Sequence, residues 1–216
     1  MLYPVSLNLK GKPVLVIGGG EVAERKVDAL LETGAKITIV SPDVTPRLQA
    51  LAERGVLALQ QRRFNPGDCR GVFFVISATN DPAAQQAVWK EAEGLGILVN
   101  TVDEAALCNV IMPAVVRQGD LTVAISTAGL SPAMAVRLRE QFTEMLGPEY
   151  GRLLALLGRI RPEIQKRFTR IGSRRDLHYR IVDSNLLDLL KANDDRAALR
   201  RLGEIIEQFE REEVAG

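Results

Sequence analysis

Three short stretches of the chain combine residue types and spacings that can do chemistry. The first, Gly18-Gly19-Gly20-Glu21-Val22-Ala23, follows the apolar run Val14-Leu15-Val16-Ile17 directly and leads into a helical pattern. A strand that ends in G-x-G-x-x-(G/A) and opens a helix aims backbone N–H groups at one point, where a pyrophosphate can sit. Gly18 permits the tight turn, Gly20 lets the backbone approach the phosphates, and Ala23 lets the helix pack close to the strand. A plain strand-to-helix turn has the same look, so the rest of the chain must discriminate.

The second stretch is Asn100-Thr101-Val102-Asp103-Glu104, at the end of another apolar run. Asp103 sits where a nicotinamide ring is expected, and its carboxylate could take a proton as a hydride leaves a substrate. Its alternative role is that of a solvated loop acid. Ser77-Ala78-Thr79-Asn80-Asp81 ends a further strand and faces the same crevice. There Asp81, followed by Pro82, reads as a helix cap. The third stretch is Ser126-Thr127-Ala128-Gly129-Leu130-Ser131-Pro132, where two hydroxyls, a flexible glycine and a helix start form either a second anion site or a capped helix.

Further residues refine the ligand. Val40-Ser41-Pro42-Asp43 closes the second strand, so Asp43 lies slightly beyond the place of the acid that reads the adenosine ribose. No arginine stands there to pair with a 2′-phosphate, which favours NAD over NADP; the other role of Asp43 is a turn residue. Arg159, Arg161, Lys166, Arg167, Arg170, Arg174, Arg175 and Arg180 face only Glu163 and Asp176 over the same span. Such a run is either a solvated helix face or an attractor for a polycarboxylate. One histidine, His178, and two scattered cysteines, Cys69 and Cys108, give no metal-ligand spacing, and no metal is expected.

The elements that must position these residues follow from periodicity. Val22, Val27, Leu30 and Leu31 mark a helix that stops at Gly34, and Lys36–Val40 is a buried strand. Thr45-Pro46 opens a helix through Leu48, Leu51 and Ala52, before a weak strand at Leu57–Leu59 and a strong one over Val72–Ala78. A helix with Val88 and Trp89 leads to a strand over Ile97–Asn100. Continuous apolar strands separated by helices predict a parallel, Rossmann-like α/β sheet with ligands at the strand carboxyl ends. After residue 110 the pattern changes. Ile111–Arg117 and Leu121–Ser126 flank Gln118-Gly119-Asp120 as a β-hairpin, and Ser131-Pro132 starts a helix running to Gly147. Helices follow from Pro148, with apolar positions at Leu153, Leu157, Ile160 and Ile164, then Leu199, Leu202, Ile206 and Phe209. The expected plan is a nucleotide domain over 1–112, a hairpin-and-helix segment over 113–147, and a helical domain over 148–216.

The bulk numbers exclude several classes. In 216 residues, 28 basic side chains balance 27 acidic ones, so no global field points to nucleic acid. No apolar stretch is long enough to span a bilayer, and the N-terminus lacks a charged segment followed by an apolar core. A cytoplasmic protein is expected. The two cysteines make neither a disulfide framework nor a C-x-x-C site.

Gly18–Lys26 (GGGEVAERK), Ala78-Thr79-Asn80-Asp81, Asn100-Thr101-Val102-Asp103, Ile111-Met112-Pro113-Ala114 and Ser126–Pro132 occur together and in this order. The set resembles the precorrin-2 dehydrogenase family, the dehydrogenase module of siroheme synthase, over roughly residues 1–147. The resemblance implies NAD-dependent oxidation of precorrin-2 to sirohydrochlorin, toward siroheme or cobalamin, with Asp103 catalytic. The strand ends themselves give the expected cofactor site: Gly18, Gly20, Glu21, Val22, Ser41, Pro42, Asp43, Thr79, Asn80, Asn100 and Val102. Substrate carboxylates would be met by Ser126, Thr127, Gly129, Ser131, Arg117 and Arg137, with Arg139 and the basic run as further cations. A homodimer interlocked through the hairpin and the following helix is also implied, with the crevice near the partner. Thr127 departs from members with a modifiable serine there. Two alternatives stay open: a bifunctional dehydrogenase that also inserts ferrous iron into sirohydrochlorin, and a non-enzymatic NAD(H)-sensing domain.

Overall fold

The computed structural model describes residues 2–215. The chain divides into two compact units, Met1–Met112 and Pro113–Gly216. The first contains strands β1 (Pro13–Ile17), β2 (Lys36–Val40), β3 (Ala58–Gln60), β4 (Phe74–Ser77) and β5 (Leu98–Thr101), with helices α1 (Glu21–Leu31), α2 (Pro46–Glu53) and α3 (Pro82–Gly94). All neighbouring strands are parallel, in the order β3-β2-β1-β4-β5. The chain winds outward from β1 to β3, then returns to place β4 on the other side of β1. That reversal makes the β1/β4 junction the switch point, where an open α/β sheet leaves a crevice at its carboxyl edge.

Alternation along the strands explains the layers. Val14, Val16, Ile37, Ile39, Phe74 and Ile76 pack with Ala23, Val27 and Leu30 of α1 and Leu48 of α2. Leu15, Ile17, Val40, Val75 and Val99 pack in a second cluster with Val88 and Ala92 of α3. A sheet buried on both faces needs apolar residues at successive positions, hence the unbroken apolar runs. Helix starts are set by side chains: Thr45 Oγ1 accepts from Leu48 N at 3.3 Å, and Asp81 Oδ1 accepts from Ala83 N and Ala84 N at 2.9 and 3.2 Å. The edge of β5 is covered by the loop at Asn109, whose side chain accepts from Val99 N and donates to Ile97 O.

The second unit opens with an antiparallel hairpin, β6 (Ala114–Gln118) and β7 (Leu121–Ile125), turned by Gly119 at φ +58°. Helices α4 (Pro132–Met145), α5 (Pro148–Arg167), α6 (Ile171–Val182), α7 (Leu186–Lys191) and α8 (Asp195–Ala215) follow. Leu153, Leu156, Ile164, Phe168, Leu177, Ile181, Leu186, Leu202, Ile205 and Phe209 form its core. Among the described residues no helix is long and apolar enough to cross a membrane.

Some element limits differ from the periodicity reading. The strand expected over Val72–Ala78 is only Phe74–Ser77, because Val72 N is held by Cys69 O in the preceding turn. The first hairpin strand starts at Ala114 rather than Ile111; Pro113 has no N–H to give a ladder. In α8 the buried stripe is Ala198, Leu202, Ile205 and Phe209, while Leu199 is 53% exposed. Both cysteines are free, and burial, with Glu91 and Asp68 adding to it, pushes the Cys69 thiol up to about 12.

Two stability predictions follow from local contacts. Removing the α3 cap in Asp81→Ala should cost ~1 kcal/mol, measured by urea unfolding. Arg62 donates to both oxygens of Asp68 at 2.7 and 2.8 Å and holds its carboxyl below the usual range. A depressed folded value gives stability that is present above the unfolded value and lost as pH falls through the folded one. Asp68→Asn should therefore be less stable than the parent at neutral pH, with the gap closing below about pH 4 in paired urea titrations.

Candidate active site

The site is built where β1, β4 and β5 end. Gly18 N donates to Val40 O at 3.0 Å, and Gly18 has φ +108°. A Cβ at Gly18 would stand 2.4 Å from Ala78 O, and one at Gly19 would stand 2.3 Å from Asp43 O. The turn is thus pressed between the exits of β4 and β2, and only glycine fits. Gly20 differs: nothing lies within 4 Å of the place its Cβ would take. It is the N-cap of α1 and offers no side-chain cap, whereas α2 and α3 are capped by Thr45 and Asp81. The first-turn N–H groups, Glu21 and Val22 among them, therefore open onto a cradle that no side chain fills and that suits a phosphate.

A cleft of about 250 Å³ adjoins the turn, lined by Val22, Ala78, Thr79, Asn80, Pro82, Gln85, Val102, Asp103 and Glu104. Val102 N donates to Ser77 O at 2.9 Å, which ties the loop after β5 to the end of β4. Asp103 follows in a left-handed conformation, φ +62°, with an exposed side chain. The loop beneath is fixed by Thr101 Oγ1, which donates to Leu107 O at 2.8 Å, and by the Cys108 thiol. Its Sγ accepts from Thr101 N at 3.1 Å and donates toward Thr101 O. Asp103 is thus carried on a braced loop at the strand end. A second, more open groove of about 540 Å³ is lined by Phe64, Arg70, Lys90 and Leu95, among others, and by none of the residues singled out above.

The remaining first-unit candidates have defined contacts. Ser41 is buried and its Oγ donates to Asp43 O at 2.7 Å, shaping the Ser41-Pro42-Asp43 turn; Pro42 and Asp43 are exposed. Thr79 Oγ1 accepts from Asp81 N, and Asn80 is exposed at the cleft. Asn100 is buried, and its amide donates to Val110 O at 2.9 Å, so its side chain braces the covering loop. Two further residues, Gln85 in the cleft lining and Lys26 one turn beyond Val22, have no role in the sequence reading. Gln85, one turn into α3, donates to Thr79 O. Lys26 is half-buried; burial, then the charge of Arg25, lowers the pKa of its ammonium, and the Asp103 carboxylate pulls it back up. Spacing held the clue, since Lys26 lies four residues after Val22 on one helix.

In the second unit the Ser126–Ser131 turn is internally bonded. Thr127 Oγ1 donates to Ser131 O and accepts from Ser131 N, Ser126 Oγ accepts from Ala128 N, and Ser131 Oγ caps Met134 N. Ala128 and Gly129 both have positive φ, 53° and 82°. Arg117 is exposed on β6, and Arg137 pairs with Glu140 at 3.3 Å. The basic run is partly spent within the bundle: Arg167 bonds Glu163 and Glu210, Arg180 bonds Glu212, and Arg175 bonds Asp176.

Comparison with known proteins agrees along most of the chain. Residues 5–114 match a family model described as putative NAD(P)-binding, residues 118–145 one for the sirohaem biosynthesis protein central region, and residues 149–206 one for the sirohaem synthase dimerisation region. Siroheme synthase 1 of Aeromonas salmonicida is 36% identical over 203 residues, covering 94% of this chain and 43% of that protein. Siroheme synthase of Zymomonas mobilis is 35% identical over 205 residues, covering 95% of this chain and 44% of its own. The chain thus spans less than half the length of these curated relatives. A solved structure described as SirC, precorrin-2 dehydrogenase, superposes with a TM-score of 0.79 at 30% identity, covering 94% of this chain and 100% of that one. The chain belongs to the siroheme synthase and precorrin-2 dehydrogenase family.

Proposed function

We propose that the chain oxidises precorrin-2 to sirohydrochlorin with NAD, and that Asp103 is its proton acceptor. One observation carries this: Asp103 lines the same cleft as Val22, the second residue of the helix that the open Gly20 cradle begins. The cradle fits a pyrophosphate because its N–H groups are uncapped and no side chain fills it. NAD, when bound, supplies the hydride acceptor. Gly18, Gly20, Glu21 and Val22 would hold the phosphates, Ser41, Pro42 and Asp43 the adenosine ribose, and Thr79, Asn80, Asn100 and Val102 the wall beneath the nicotinamide.

The substrate loses two electrons with one hydrogen as hydride and a second hydrogen as a proton. Asp103 takes that proton and, being exposed, releases it to water. The side chain does not reach the reaction by flexing from a mobile loop, since Thr101, Leu107 and Cys108 hold the backbone under it. The chain's contribution is chiefly orientation of two large ligands. Ser126, Thr127, Gly129, Ser131, Arg117 and Arg137 would meet substrate carboxylates. Residues 1–112 would serve as the cofactor domain, 113–147 as a dimerisation segment and 148–216 as a helical domain. A homodimer is supported by the dimerisation-region match and by apolar side chains left exposed in the hairpin (Val115), the turn after it (Leu130) and α4 (Met134 and Met145).

An anaerobic assay of NADH formation from precorrin-2 tests the reading, and no NADH from the unaltered chain would overturn it. Asp103→Asn should lower turnover by about 100-fold while NAD affinity stays within about twofold. Gly20→Asp should abolish NAD binding in equilibrium titration, because the new carboxylate fills the cradle and repels the pyrophosphate.

A further inference from the structure

Lys26 lies one turn beyond Val22, a residue of the cleft lining, and has no role in the reading above. On α1, Ala23, Val27 and Leu30 are buried against the sheet. Glu24 and Asp28 occupy one flank of the helix and are engaged by the start of α2: Glu24 accepts from Thr45 Oγ1, and Asp28 pairs with Arg47 at 2.7 Å. Val22 and Lys26, at i and i+4, share the opposite flank. Val22 lines the cleft with Asp103, and the Asp103 carboxylate acts electrostatically on the Lys26 ammonium. Lys26 is half-buried and makes no hydrogen bond or ion pair with another described residue.

A partly desolvated ammonium without a partner is costly, and an incoming anion relieves that cost. The anion that needs it is specific. A tetrapyrrole carrying several carboxylates is repelled by Asp103, the very group that must approach its reacting carbon. A cation beside Asp103 offsets that repulsion and ties one carboxylate in register. The cofactor phosphates have their own donors at Gly20, about 9 Å back along the helix axis.

We propose that Lys26 is a substrate-positioning residue whose ammonium pairs with a carboxylate of the tetrapyrrole beside Asp103. The inference rests on the dehydrogenase reading above and deepens it. Sirohydrochlorin, which shares the carboxylates, serves as probe in absorbance titrations of the full chain, with NAD titrated separately. Lys26→Gln should raise the sirohydrochlorin Kd about tenfold and the precorrin-2 KM in parallel, with kcat and the NAD Kd within about twofold. Lys26→Arg, which keeps the charge, should recover most of the affinity, and both variants should unfold as the parent does. An unchanged sirohydrochlorin Kd in Lys26→Gln, an equal loss in Lys26→Arg, or a raised NAD Kd would each overturn the assignment. Failure of the unaltered chain to bind sirohydrochlorin or form NADH would instead sink the dehydrogenase reading and the inference with it.

Discussion

The close approach of the Gly18 backbone to the Ala78 carbonyl is the contact on which the site depends. Parallel pairing puts Ile17 opposite Ser77, so the chain leaving β1 passes directly over the chain leaving β4. A side chain at Gly18 would meet that carbonyl at 2.4 Å, and one at Gly19 would meet Asp43 O at 2.3 Å. These two clearances set the start of α1 and its roll against the sheet. Once the roll is set, Glu24 and Asp28 face α2 and Val22 faces the cleft, with Lys26 one turn on along the same flank. Gly18 and Gly19 therefore act through packing, and the open space at Gly20 is what suits a phosphate.

Much of this was legible in the sequence because the forces involved are local. Strands buried on both faces must be apolar throughout, and turns at strand carboxyl ends must carry glycine or a capping residue. Asp81-Pro82 and Thr45-Pro46 announce helix starts because a side-chain acceptor and a missing N–H satisfy the same orphan donors. Asp103 was legible as a polar residue at a strand end, and its place in the cleft agrees with that.

What was not legible depended on partners distant in the chain. Besides its place at the strand end, Asn100 braces Val110, ten residues on, through a bond that no local pattern encodes. Two of the arginines between 159 and 180 have counter-charges far along the chain on α8: Glu210 faces Arg167, and Glu212 faces Arg180. Arg180 also stands 5.1 Å from the Phe209 ring. In α8, Leu199 fits a helical period but falls beside the stripe of Ala198, Leu202, Ile205 and Phe209 that meets the core. Periodicity gives a helix a face, and only packing fixes its angle.

The bundle's arginines therefore contribute less open positive field than their number suggests, and exposed pairs of this kind stabilise by only about 0–1 kcal/mol each. A chain with nearly balanced charge must then recognise anions through groups left unsatisfied in the fold. The two glycine-bearing turns differ sharply in this respect. At Gly20 the helix has no side-chain cap, so its first N–H groups are free to meet a phosphate. At Ser131 the cap is made, and Thr127 already exchanges two bonds with the Ser131 backbone. An anion at that second turn must displace bonds that the protein makes with itself, which weakens binding but favours a ligand offering several carboxylates at once. The uncapped turn suits a cofactor that binds by one strong contact. The self-bonded turn suits a substrate that binds by many weak ones.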